Sequence, residues 1–380
     1  MKPITFLIIV LVLFRIIFIS IINPNLSWPY DENRSYEIAS NYNKGLDYTY
    51  EGKKTSLQNT FLVYLYIWIQ RIGISKKAWS LFVYAISLFV YAVSLICFYR
   101  MLSRFRFLGT LLYGIYPSLM FYIGTTILYE NITTPLMVII MYCLVKSEKL
   151  FIVPILILIS YFFKYYFIFV YFGVLSVYFF ITKRKIIPII SIALMLLITI
   201  PVLKKNHDMF GAYMLSTQSG LELLQGHNPL ARGSFHGAFK NPNNVFYGYI
   251  RKEIPDFDDL NEYEQSIAME DLAKDWIRKN PLAELRLIIR KLIIYFLPKN
   301  FDFLPSHVQW NPINLIVHLG FLISLIRFKK DWLILTPVIC SILMCVMLAV
   351  CYRLRYFAEP FMILYMIKRF SRGAIIEPQL

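Results

Sequence analysis

Asp31, Glu32 and Glu37 stand together in NPNLSWPYDENRSYEIASNY (23–42), directly after an apolar run, and a further acid, Glu130, stands in YPSLMFYIGTTILYENITTP (116–135). Three bases have similarly apolar and aromatic surroundings: Lys164 in SYFFKYYFIF (160–169), and Arg353 and Arg355 in CYRLRYFAEPFMILY (351–365). Ionisable side chains at membrane depth are costly and are functional candidates by default. Acids and bases in this set suit transfer of a group from a lipid phosphate to a hydroxyl. A carboxylate takes the acceptor proton, while the departing phosphate, already a stable anion, needs cations to hold its charge. Arg forks match phosphate oxygens and Lys adds a point charge. The same residues also have structural uses. Asp31 can cap the polar helix that follows it, Glu130 can pair with Lys164, and Arg353 and Arg355 can anchor in headgroups.

The elements that must position these groups are apolar helices. The chain has 380 residues, 58% apolar, 17% aromatic and 16% charged, which is too apolar and too little charged for an ordinary soluble domain. Its formal charge of +16 falls in short runs between apolar segments, a topological pattern that argues against nucleic acid as a partner. The five cysteines lack the short paired spacing of a zinc or redox site and read as packing residues. The expected spans are 4–22, 77–99, 107–124, 129–145, 150–163, 165–182, 186–203, 312–327, 331–350 and 356–368. The first reads as a retained anchor, too long for a signal-peptide core. With 57–73 left as a juxtamembrane helix, the basic runs at 99–106, 146–149, 182–185, 327–330 and 368–372 all fall on the cytoplasmic side. Both termini are then cytoplasmic, and Asp31, Glu130, Lys164, Arg353 and Arg355 share the outer face.

The expected fold is therefore all-α, a polytopic helical bundle of about ten spans. Residues 1–203 form a first transmembrane module whose outer loop is 23–76, residues 204–311 an outer, mainly helical domain, and residues 312–380 the last spans. In the outer domain, 262–280 reads as a polar helix with Ile267, Leu272 and Trp276 on one side. Asn280 and Pro281 mark the start of a second. That helix carries an apolar face of Leu285, Ile288, Ile289, Leu292, Ile293 and Phe296, with Arg286, Arg290 and Lys291 free to meet phosphates.

These motifs together resemble the GT-C superfamily of membrane glycosyltransferases, in particular the branch related to aminoarabinose transferases and protein mannosyltransferases. YDENRSYEIASNYNKG is similar to the first-loop acidic motif, which implies Asp31 as catalytic base with Glu32 beside it. YPSLMFYIGTTILYENITTPLMVIIMYCL is similar to the Tyr-Pro-Ser stretch and second-loop acid, which implies Glu130 in the second catalytic position. GLELLQGHNPLARGSF (220–235) resembles the Gly-rich, Asn-Pro-containing loop, and RLRYFAEPFMILY the basic entrance to a late span. The resemblance implies inverting transfer from a polyprenyl-phosphate sugar to an envelope lipid, glycan or protein acceptor in a bacterial plasma membrane. Lys164, Arg353 and Arg355 would grip the phosphate, and His227 and Asn228 would line the sugar pocket. Relatives carry a basic residue and prolines before the juxtamembrane helix; here GKKTSLQNTF offers Lys53 and Lys54 instead, and no Pro follows Lys164. The resemblance requires no cofactor. Some members use a divalent cation such as Mg or Mn, and Asp31 and Glu130 are the acids that would ligate one.

Two other classes fit a chain of this kind. An envelope polysaccharide polymerase or ligase would carry its basic residues mostly within large outer loops. A lipid or sugar flippase would string ionisable groups along the bundle interior, where Arg15 is the main charge the sequence offers.

Overall fold

The computed structural model describes residues 3–23, 30–117, 119–120, 129–233, 245–297, 311–326, 331–348, 350 and 352–371. Among the described residues the regular structure is helical apart from a hairpin of two-residue strands, β1 (Thr49–Tyr50) and β2 (Lys53–Lys54). Among the described residues three helices are long and apolar enough to cross a membrane: α1 (Pro3–Ile22), α4 (Lys76–Met101) and α9 (Ile186–Phe210). Shorter apolar helices accompany them, including α7 (Val153–Phe163), α8 (Ile168–Ile181), α14 (Pro312–Ile326) and α15 (Trp332–Met347).

The centre of the bundle is α6 (Glu130–Lys146), in which every residue from Glu130 to Leu144 is buried. A helix apolar on all sides must be surrounded, and α4 and α7 pack along it. Around this centre α1 lies against α4 and α5 (Arg106–Gly114), α9 against α7, and α15 against α8. The last long helix, α17 (Glu359–Phe370), packs on α14 and α15.

The expected span 107–124 is interrupted: α5 stops at Gly114 and Tyr116 is not helical. Pro117 disfavours helical backbone at the residue before it. Gly114 also lies so close to α1 that an added Cβ would meet Leu11 Cδ1 at 2.5 Å. Span 186–203 instead continues to Phe210 and ends on Gly211, whose φ of +73° is the left-handed cap position glycine favours.

The basic ends of several helices meet. Asp331 pairs with Lys368 at 3.6 Å and Arg369 at 2.6 Å. Arg104 donates to the Ser371 carbonyl, and Arg184 to that of Ser147. The runs at 99–106, 146–149, 182–185 and 368–372 are thereby joined pairwise by direct contacts, as one shared end of the bundle requires.

The segment expected as the outer domain has a small core of its own, with Leu224, Phe246, Ile250, Phe257, Met269 and Ala273 buried together. Its elements are α10 (Gln218–Gly226), α11 (Val245–Glu253), α12 (Glu262–Lys279) and α13 (Pro281–Phe296). Asn261 and Glu264 form a capping box that starts α12, as Asn followed three residues later by Glu specifies. The inward face of α12 is Ser266, Met269 and Ala273, not the expected stripe, because Gly220 of α10 lets the two backbones approach there. A Cβ on Gly220 would lie 1.8 Å from the Ser266 carbonyl oxygen. Gly220→Ala should therefore part the helices and cost about 1–3 kcal/mol, read as a lower thermal midpoint of the purified protein.

On α13 it is Lys291, expected to be free to meet phosphates, that is corrected, since it is buried. Glu284, Leu287, Lys291 and Tyr295 turn inward against α15, while Leu285, Ile289 and Ile293 are exposed. The reason is polar: both charged residues of the inward face find buried partners there.

Candidate functional site

The helix of the first loop, α2 (Tyr30–Asn43), presents Glu32, Ser35, Ile38 and Ala39 to the interior. These residues are three or four apart and so share one stripe. Asp31 falls beside that stripe and is half-buried. It lies inside the first helical turn, where acids suit the helix dipole. From α6 comes Glu130, at the first turn and buried. Lys164 is supplied by a break: α7 ends at Phe163, Lys164 is extended (φ −144°, ψ 88°), and a short 3-10 turn, Tyr165–Phe167, leads into α8.

Lys164 Nζ lies 3.3 Å from Glu130 Oε1 and 3.7 Å from Glu32 Oε1, with all three side chains at least nine-tenths buried. The break that puts it there is held by Asn59, whose amide donates to the carbonyls of Phe162 (3.0 Å) and Phe163 (2.9 Å). The Asn59 carbonyl oxygen accepts from Phe61 N and starts α3 (Thr60–Arg71). An aromatic wall closes one flank. Tyr129 stacks on Phe163 at 4.9 Å and its hydroxyl meets that of Tyr66 at 2.5 Å. Burial, with Tyr129 and Glu32 nearby, holds the Tyr66 phenol well above its ordinary pKa, so it stays a donor.

Direct bonds tie the loop before α3 to α9, α12 and the chain before α10. Ser56 N donates to Glu262 Oε1 at 2.6 Å and Ser56 Oγ to Asn206 Oδ1 at 2.7 Å, while Ser216 Oγ donates to the Ser56 carbonyl. Lys205 Nζ reaches Thr60 Oγ1 at 3.2 Å and lies 3.7 Å from the centre of the Tyr48 ring.

The other expected site residues lie elsewhere. Lys53 and Lys54 are exposed on β2, and Lys54 pairs with Asp47 at 3.5 Å. Asn228 is buried and folds its own turn, donating to the Leu224 carbonyl and accepting from Leu230 N. His227 Nδ1 meets Glu284 Oε1 at 2.9 Å, and Nε2 lies 2.8 Å from the Met347 carbonyl and 3.2 Å from Lys291 Nζ. Lys291 also donates to the Val346 carbonyl. Lys291 and His227 thus both reach the C-terminal carbonyls of α15, where the positive charge of the lysine is favoured. Arg355, on α16 (Tyr352–Tyr356), is fully buried. It donates to Glu359 Oε1 at 2.8 Å and to the carbonyls of Tyr295 and Leu297 at 2.9 Å. His318 Nε2 lies 3.9 Å from the same carboxylate oxygen. The side chain of Arg353 lies outside the described residues.

Burial pushes the Lys291 ammonium down to about 8, against the opposing pull of Glu284. Between pH 8 and the ordinary lysine value near 10.4 the unfolded chain binds more protons than the folded one. The cost of this buried charge, full below pH 8, is therefore relieved as pH rises through that window. Thermal midpoints followed from pH 7.5 to 10 should rise for the native protein relative to Lys291→Met.

Among the described residues no group of three His, Cys, Asp or Glu side chains converges as metal ligands, and the Lys164 ammonium lies between Glu32 and Glu130. Comparison with known proteins returns no match: no family model, no curated protein and no solved structure matches the chain.

Sequence reasoning missed Asn59, Tyr66 and Tyr129, ordinary residue types without a distinguishing pattern. It also missed Glu284 and Glu359, for which a signal exists. Glu284 and Lys291 are two helical turns apart on one face, and Arg355 and Glu359 are spaced i, i+4.

Proposed function

We propose that the chain is a multi-pass membrane glycosyltransferase of GT-C type. It takes a sugar from a polyprenyl-phosphate donor and passes it, with inversion, to an envelope lipid, glycan or protein acceptor at the outer face of the membrane. The observation that carries this reading is the convergence of Glu32, Glu130 and Lys164 from three separate helix ends, with Asp31 on the rim. The contacts that join the basic helix ends support the ten-span arrangement with both termini cytoplasmic, since such ends belong to the cytoplasmic side.

In this reading Asp31, the least buried of the three acids, takes the proton of the acceptor hydroxyl. Glu130 orients the acceptor, and Lys164, together with Arg353, holds the phosphate as negative charge builds on it. Membrane lipids surround the apolar spans and bring the donor in sideways. Purified protein given a panel of polyprenyl-phosphate sugars should release sugar. Asp31→Asn should lower turnover by about 10²-fold or more with an unchanged thermal midpoint. Full turnover in the folded variant would remove Asp31 as base.

A second reading, a lipid or sugar flippase, draws on Arg355, Glu359 and His318 buried together within the helical body. Transbilayer movement of a labelled lipid without sugar release in the same panel would favour it.

A further inference from the structure

Helix α13 descends into the bundle instead of lying flat across its end. Lys291 Nζ donates to the Val346 carbonyl and the Tyr295 hydroxyl to Ser341 Oγ, both at 2.8 Å. As the chain advances along α13 its partners retreat along α15, so the two helices run antiparallel there. At the foot of α13, His318 Nδ1 of α14 lies 3.0 Å from the Phe296 carbonyl, and Phe296 stacks on Phe321 with ring centres 6.4 Å apart.

The start of α15 is tied to the basic helix ends through Asp331, so its Met347 end points the opposite way. Its 16 residues span about 24 Å, less than the roughly 30 Å of a hydrocarbon core. In a membrane that begins at the basic ends, apolar surroundings therefore continue about one helical turn past Met347. The C-terminal half of α13 passes through that layer.

One side of α13 suits such surroundings. Leu282, Leu285, Ile289 and Ile293, three or four residues apart, form one stripe, and each is at least half exposed. Arg286 and Arg290 are exposed beside it, whereas Glu284, the single acid of the helix, faces inward. At the same level α15 exposes Leu343 and Met347. A contiguous apolar row of this kind marks a contact surface, and its flanking charges, both positive, fit anionic headgroups. A second copy of the chain, with its own charge of +16, would meet them with repulsion.

We propose that α13 is sunk into the leaflet at the end of the bundle away from the basic helix ends. Leu285, Ile289 and Ile293 meet acyl chains, while Arg286 and Arg290 extend to the phosphates of anionic lipids, as long basic side chains do near a membrane surface. This placement depends on the chain crossing a membrane, which the three long apolar helices support, and not on sugar transfer.

The full chain in nanodiscs of equal parts phosphatidylglycerol and phosphatidylcholine tests it. The photoreactive residue p-benzoylphenylalanine is placed singly at three exposed positions: Ile289, Leu197 of α9, and Lys274 of α12. After irradiation, intact-protein mass should show lipid adducts at positions 289 and 197 and few or none at 274. Adducts at 197 without adducts at 289, or cross-linking of 289 to a second copy of the chain, would overturn the proposal and leave the membrane reading standing. Absence at both would overturn the membrane reading and the proposal with it. Equal yields at 274 would also overturn it, since capture would then be unselective. At position 289 phosphatidylglycerol adducts should exceed phosphatidylcholine adducts by about fivefold, and the two should become equal in Arg286→Gln/Arg290→Gln. Equal adducts with both arginines present would overturn the contact with anionic phosphates.

Discussion

Lys164→Met should cost the folded protein about 3–5 kcal/mol. The methionine fills similar space, so the loss comes from the two carboxylates left facing each other within a buried site. Replacing one member of a buried ion pair is far more damaging than replacing all of it. Lys164→Met combined with Glu32→Gln should therefore regain part of what the single variant loses. Thermal midpoints of the purified single and double variants decide the matter. A Lys164→Met protein as stable as the native one would mean that both acids carry protons, and that no ion pair organises the cluster. In the transferase reading the same variant should show no sugar release, because the phosphate then leaves without its counter-ion.

Arg355→Met should be comparably damaging, again by about 3–5 kcal/mol. Its guanidinium holds Glu359 within α17 and accepts the burden of two carbonyls, Tyr295 and Leu297, at the end of α13. Removing it takes the cation from a carboxylate that is fully buried and frees the end of α13. Arg355→Met/Glu359→Met should recover most of the loss, since an apolar pair can replace a buried ion pair at little cost. The thermal midpoint should fall in the single variant and recover in the double. Equal midpoints in both would mean that the carbonyl contacts, not the ion pair, carry the loss.

Much of the bundle was legible in the sequence because apolar runs and basic ends obey strong rules. The helix ends of α1, α4, α6, α7 and α8 lie within a few residues of those expected. What was not legible depends on which side of a helix meets a partner. Asp31 and Glu32 are neighbours, and their different burial follows from the stripe that Ser35, Ile38 and Ala39 complete, which needs the packing of α2 to be known. Lys291 of α13, expected to be free to meet phosphates, is buried for a related reason. With Glu284 it faces away from the helix's most apolar stripe and reaches His227 and the carbonyl end of α15. His227, expected in a sugar pocket, is instead a buried link between the outer segment and that helix end. Arg355 likewise looked like an open phosphate grip, whereas Glu359, one helical turn later, closes on it.

The order in which the chain is made adds a consequence to the position of the acid–lysine cluster. Glu32, Glu130 and Lys164 all lie within the first 164 residues, whereas the bond between Ser56 and Glu262 spans 206 residues and that between Arg104 and Ser371 spans 267. Chains fold broadly from the N-terminus as they are synthesised. The three charges can therefore meet as soon as Lys164 emerges, so the early helices need not wait in the bilayer with a carboxylate exposed. The last helices, with Arg355 and Glu359 one turn apart, carry their own neutralised pair into a bundle already half built.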